Sequence, residues 1–301
     1  MPFNPATWVN HSSRVFHGRS AGLQQIDQAL AAYVQAKSGH TLKAVARAIL
    51  AWQASKPGWS TSLRGLPMID LINYVKVEAE TQLPQATREI FAYVAGEPII
   101  TQLNSDPYKA LQRLPAYVTG APDGPTDFKV QRTSSADGTY IHDLLQPGIA
   151  VGAGYDRIVI SPLARGPVWR AVAIAMHTDV DAHSNANHII GKLHTLQGAS
   201  SMTTGQLSGC AFIIREHNGH VECTHIKPNG FVDGVALQNH LERLYLGPGV
   251  VIWGRKQYPY QGGEVRAAIV GRRGPHGWQI YAQRYLHGTS HVLGVSRIWP
   301  A

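Results

Sequence analysis

Two residues of this chain, Cys210 and His225, have the types and the spacing for covalent chemistry. Cys210 closes the segment Thr204-Gly-Gln-Leu-Ser-Gly-Cys210, and His225 follows fifteen positions later. Between them run Ala211-Phe-Ile-Ile-Arg-Glu-His, then Asn218-Gly219, then His-Val-Glu-Cys-Thr-His225. Asn-Gly between apolar, β-prone runs encodes a two-residue hairpin turn, because both residues tolerate the positive φ of a type I′ turn. That turn sets the register: His217 faces His220, and His225 faces Phe212. Cys210 lies two residues before Phe212, on the same strand face. Such a diagonal neighbour of His225 has its Cβ within roughly 7–8 Å. A thiol and an imidazole that converge across one hairpin are the minimum equipment for a nucleophile with its base. Thr204, six residues upstream of Cys210, offers a hydroxyl to orient the imidazole. The Ser208-Gly209 step supplies flexible backbone whose N–H groups can meet a developing oxyanion.

Leu207-Ser208-Gly209-Cys210 with a His fifteen residues on resembles the cysteine glutamine deamidases of bacterial toxins, namely the catalytic domain of cytotoxic necrotizing factor and the Burkholderia lethal factor. The spacing of Thr204 and Cys210 is similar to that lethal factor and to the chemotaxis receptor deamidases. The resemblance covers about Thr204–His225. It implies a side-chain glutaminase on an α/β sandwich, with Cys210 as nucleophile, His225 as base and Thr204 as orienting residue. It also implies a protein partner, a GTPase or a translation factor, that carries the modified glutamine.

A glutamine carboxamide is inert at neutral pH, so its hydrolysis needs a strong nucleophile, and a thiolate stabilised by a neighbouring imidazolium is one. Attack by Cys210 and loss of ammonia protonated by His225 leave a thioester, which water then releases as glutamate. Capture of the thioester by an amine would give transglutamination instead. A papain-like peptidase could use the same dyad, although such enzymes usually carry the Cys on a helix N-terminus, whereas Cys210 heads a strand. A non-catalytic binding module is the alternative of another class, since a lone Cys is often a small buried hydrophobe.

The second thiol, Cys223, faces Ile214 in the same register. It lies roughly 13 Å along the strand from Cys210, beyond disulfide range. Two Cys in 301 residues are no disulfide framework and fit a reducing compartment. The N-terminus, Met1-Pro-Phe-Asn-Pro-Ala-Thr-Trp, lacks a basic region followed by an apolar stretch. The expectation is synthesis in a bacterial cytoplasm without a signal peptide, then secretion or delivery into a target-cell cytosol as an effector. No apolar run reaches transmembrane length. The net charge of +8 is spread over residues such as Arg243, Arg255, Lys256, Arg266, Arg272, Arg273, Arg284 and Arg297. No nucleic-acid motif accompanies them, so nucleic acid is not an expected partner. His177, Asp179, Asp181, His183, His188 and His194 include metal-ligand types, but the stretch lacks the H-E-x-x-H pattern and reads as a polar rim of the site. Gly152-Ala-Gly154 lacks the third glycine of a dinucleotide fingerprint. No cofactor and no metal are expected.

The expected fold class is α+β: a small N-terminal helical bundle over residues 1–115, serving delivery, recognition or autoinhibition, then a β-rich α/β sandwich of the deamidase type over residues 126–301. Leu23, Ile26, Leu30, Tyr33 and Val34 recur at helical spacing, as do Leu42, Val45, Ile49 and Trp52 behind Thr41 as a cap. Further helices are expected near Met68–Val77 and Ala86–Val94, ending before Gly96 and Pro98. Pro115-Ala-Tyr-Val-Thr-Gly-Ala-Pro-Asp-Gly-Pro125 reads as a boundary loop. Beyond it, strands are expected at Arg157–Ile160, Val168–Met176, Ala211–Arg215, Val221–Ile226, Gly249–Trp253, Val265–Val270, Trp278–Tyr285 and Leu293–Trp299, with one helix near Gly234–Leu244.

Overall fold

The structure is a computed structural model that describes residues 3–5, 8, 21–54, 68–133, 157–260 and 263–300. It is α+β, with helices ahead of a large mixed sheet. Two compact units divide at Pro98/Ile99, and residues 131–133 and Arg165–Pro167 belong with the first.

The first unit is built from helices α1 (Ala21–Gln35), α2 (Gly39–Ala54), α3 (Met68–Gln82) and the first half of α4 (Ile90–Ser105). Leu23, Ile26, Leu30 and Tyr33 are buried against Leu42, Val45, Ile49, Trp52, Leu71 and Val75. Val34, about 100° round the helix from Tyr33, is 48% exposed instead. Ser38, not Thr41, caps α2: its Oγ accepts from Thr41 N, and Thr41 Oγ1 accepts from Ser38 N, both at 3.2 Å. Helix α4 runs through Gly96 and Pro98 rather than stopping before them. Pro98 removes one i→i−4 bond from it. Buried Phe91 and Val94 in the first unit and Leu103 in the second anchor the two halves.

The second unit holds two sheets. The larger comprises β1 (Ala116–Val118), β2 (Gly124–Thr133), β3 (Arg157–Ser161), β4 (Val168–Ile174), β7 (Ser201–Thr204), β11 (Val265–Gly274), β12 (Gly277–Leu286) and β13 (Val292–Trp299), ordered β1-β3-β2-β4-β7-β11-β12-β13. The smaller is ordered β10-β8-β9-β5, from β5 (Met176–His177), β8 (Ala211–His217), β9 (His220–Ile226) and β10 (Val251–Trp253). A short β6 (His194–Thr195) also pairs with β9.

Strand alternation explains the layers. On β11, Val265, Ala267 and Ile269 pack toward Phe212, Ile214 and Cys223 of the smaller sheet. Ala268 and Val270 point the other way, joining Phe128, Trp169, Leu103, Ala110 and Leu111 under α4 and α5 (Pro107–Arg113). The outer face of the smaller sheet, with Ala211, Ile213 and Ile226, is covered by Ile189 of α6 (Ala186–Ile190) and Leu237 and Leu241 of α7 (Gly234–Arg243). Asp233 caps α7 through Ala236 N at 2.8 Å. No helix of the described residues is long and apolar enough to cross a membrane.

Four strands, β1, β2, β6 and β7, lie where none is expected. The segment read as a boundary loop carries β1 and the start of β2. Its prolines are compatible because Pro115 only flanks β1, which is an edge strand, and Pro125 sits at the end of β2. The Ser-Met-Thr-Thr sequence of β7 has no apolar alternation, yet all four residues are buried at the centre of the larger sheet. Thr203 Oγ1 donates to Ile269 O at 2.8 Å, so this hydroxyl is satisfied inside the fold.

The packing dictates where the chain tolerates a cut. The Gln283 side chain bonds Leu111 O, Leu114 O and Ala116 N, and Leu103, Ala110 and Leu111 belong to the second unit's core. A fragment starting at Ile99 should unfold cooperatively. One starting at Ala116 should lose several kcal/mol, at about 2–5 kcal/mol per large core side chain removed. Urea melts of the two fragments check this.

Candidate active site

The hairpin forms in the register that Asn218-Gly219 encodes. Both turn residues have positive φ, 51° and 74°. His217 pairs with His220, Ile214 with Cys223 and Phe212 with His225. Cys210 stands just ahead of β8 and shares the inter-sheet core with Phe212. Both cysteines are free and buried.

Thr204 comes from the other sheet. It ends β7, which runs parallel to β4 with Thr204 beside Ile174. Its Oγ1 lies 2.7 Å from Ile174 O and 2.8 Å from His225 Nδ1, all buried. A carbonyl oxygen can only accept, and the hydroxyl has one proton. That proton goes to Ile174 O, so the hydroxyl accepts from His225 Nδ1–H. The hydrogen on Nδ1 leaves the lone pair on Nε2, which is buried and has no hydrogen-bond partner. Thr204 and His225 are therefore in contact, Cys210 stands two residues before Phe212, the ladder partner of His225, and His225 is held as the tautomer of a base.

The electrostatics differ from the expected thiolate–imidazolium pair. His225 is fully buried, and desolvation, with a smaller push from His177, lowers its pKa to about 3. It is neutral at pH 7. Cys210 is 3% exposed, not the accessible acidic thiol that its hairpin position suggests. Burial pushes its pKa up, while the N–H of Ser208, the charge of Lys227 and its own N–H pull it down. Cys223 is raised well above the usual thiol value, chiefly by desolvation. The resting pair is thus a neutral thiol and a neutral imidazole.

Of the two backbone positions expected to serve an oxyanion, Ser208 directs its N–H toward the thiol. Gly209 does not offer a free N–H. It donates to Tyr258 Oη at 3.1 Å, and that hydroxyl donates in turn to Cys210 O at 2.6 Å. Gly209 has φ 154°, a conformation that side chains rarely adopt. Its carbonyl packs on the start of α7, where a Cβ on Gly234 would lie 2.1 Å from Gly209 O. Only glycine fits there.

Tyr258 is a site residue that sequence reasoning missed. It lies 48 residues from Cys210, and no local pattern links the two. It is fully buried and stacks on Trp253 at 5.2 Å between ring centroids. Tyr258→Phe should keep that stack and release the two peptide groups beside the sulfur. The expected result is turnover reduced about tenfold and a stability loss of about 1–3 kcal/mol. Steady-state kinetics and a denaturant melt would measure both.

The polar stretch from His177 to His194 is divided among separate partners. His177 lies 3.6 Å from Asp123, Asp179 pairs with Lys192 and His188, and Asp181 accepts from His183 N and Ser184 Oγ. Among the described residues no group of three or more His, Cys, Asp or Glu is arranged to hold a metal ion. One end does reach the site, since Met176 pairs with His225 in the β5–β9 ladder. Gly152 and Gly154 lie outside the described residues. No family model matches the chain, and no curated protein matches it at a significant level.

Proposed function

We infer that the chain is a cysteine hydrolase that converts a glutamine side chain of a target protein to glutamate. The observation that carries this reading is the Ile174 O–Thr204–His225 chain, which leaves the lone pair on Nε2 of a neutral imidazole whose ladder partner, Phe212, lies two residues from Cys210. A merely structural histidine would be expected to use both nitrogens when fully buried.

Because His225 stays neutral at pH 7, it acts as a general base during attack rather than as a resting imidazolium. Nε2 takes the Sγ proton as sulfur adds to the carboxamide carbon. The tetrahedral oxyanion meets the N–H groups of Ser208 and Cys210. His225 returns the proton to the departing nitrogen, ammonia leaves, and a thioester remains. Water, deprotonated by His225, then attacks the thioester. Glutamate is released, and the sulfur recovers its proton. Transglutamination differs only in having an amine take the place of water. Delivery of the protein into a target cell belongs to the same proposal.

The burial of Cys210 favours a second reading, a binding module with an inert thiol. One experiment separates the two. Target-cell proteins are analysed by mass spectrometry after exposure to wild type or to Cys210→Ser. The hydrolase reading expects a gain of about one dalton at a glutamine, as amide becomes acid, with the wild type only. Identical spectra, together with a Cys210 that iodoacetamide alkylates only after unfolding, would establish the binding module.

A further inference from the structure

Lys227 stands one residue beyond the hairpin ladder. The last pair is Ala211 with Ile226, so the next step of the same register sets Lys227 opposite Cys210. Its backbone is fixed by a 3.0 Å bond from its N–H to His177 O, while the residue is exposed. No carboxylate pairs with its ammonium among the described residues. The acids of the surrounding loops are engaged elsewhere. Asp181 accepts from His183 N and Ser184 Oγ, Asp233 from Ala236 N, and Asp123 from Ala175 N.

A second cation stands near the Gly209 backbone. The Cβ that would lie against Gly209 O from Gly234 would also lie 3.0 Å from Arg255 Cβ. Arg255 is 4% exposed, and its guanidinium sits 4.9 Å from the Tyr258 ring centroid and 3.7 Å from that of Tyr260. Nη1 donates to Val265 O at 2.9 Å, and Nη2 has no hydrogen bond. The nearby Glu264 pairs with Arg266 at 2.8 Å. The backbone that carries the nucleophile is thus flanked by two cations without carboxylate partners, and one of them projects into solvent.

We propose that this flank selects the substrate. The glutamine presented to Cys210 belongs to an acidic segment, and the carboxylate beside it engages the Lys227 ammonium. This rests on reading Cys210 as the nucleophile. An exposed ion pair is weak, but it favours one partner sequence over another and steers encounter.

The test uses the full chain and two glutamine peptides that differ only in a Glu or an Ala next to the glutamine. Ammonia release by wild type should favour the acidic peptide roughly two- to fivefold in kcat/KM, chiefly through KM. Lys227→Gln should bring the ratio to about one, and Lys227→Arg should preserve it. The ratio is the readout because any effect of Lys227 on the thiol itself falls on both peptides alike. A wild-type ratio near one, or a ratio unchanged in Lys227→Gln, overturns the proposal. If no peptide releases ammonia, binding to Cys210→Ser protein at low and high salt decides. A preference for the acidic peptide that disappears in the Cys210→Ser, Lys227→Gln double variant keeps the engagement of the carboxylate by Lys227, as binding alone, and removes the hydrolase reading. Absence of that preference removes both.

Discussion

Cys210→Ser and His225→Ala should each reduce ammonia release to background. Serine keeps the shape of the side chain, but an alcohol is a far weaker acid and nucleophile than a thiol and cannot replace it in the covalent step. Alanine at position 225 removes the imidazole that the proposed mechanism uses as its base. General acid–base groups contribute about 10²–10⁴-fold, and the nucleophile contributes the whole covalent path. Thr204→Val should reduce turnover without abolishing it, by about 10²-fold or less, because Thr204 transfers no proton. It holds Nδ1–H and hence the tautomer. Kinetics with a native substrate would rank the three. Full activity in His225→Ala would overturn the mechanism. A dead Thr204→Val protein with an unchanged melt would make the tautomer itself indispensable. The thiol should alkylate slowly in the folded protein, and Cys223 more slowly still, since both are buried and Cys223 lacks the neighbouring N–H groups and cation.

Acidification should unfold the protein through His225. Its native pKa is depressed to about 3, against an ordinary value near 6.5. The unfolded chain therefore binds a proton that the native state refuses. The stability this group contributes is complete above pH 6.5 and is lost as pH falls from there toward 3. The difference corresponds to about 4–5 kcal/mol at the acid end, a large part of a typical domain's stability. Urea midpoints of wild type and His225→Gln between pH 7 and pH 4 provide the measurement. The wild type should lose the larger share of its stability, and the variant should have the flatter profile. Parallel profiles would mean that the imidazole is protonated without unfolding, and the assignment of Nε2 as a buried, desolvated base would fail.

Local chemistry made part of this fold legible in the sequence. Asn218-Gly219 permits few turns, so the pairing of Phe212 with His225 followed from two residues. The buried stripe of α1 followed from helical spacing, and the start of α7 lies where Gly234 was expected to open it. The exceptions have a common physical origin. Prolines that signal loops sit harmlessly around an edge strand, as at β1, because an edge has hydrogen bonds to spare. Pro98 remains inside α4 because apolar anchors on both sides outweigh one missing bond.

The sequence by itself determined the Cys210–His225 diagonal, since a hairpin is a local object. Thr204 could be named from spacing, but not its action: its contact to His225 crosses from one sheet to the other, and Ile174 O, which commits its proton, lies 30 residues upstream. Only the tertiary structure decided the charge state of the pair. Sandwiching the hairpin face against β7 and β11 removes water, and this desolvation leaves His225 neutral and raises the thiol, where residue types alone suggest an ion pair. It also engaged the Gly209 N–H, expected to serve an oxyanion, with Tyr258. Burial and contacts between sheets depend on which distant strands pack together, and no window of local sequence contains that information.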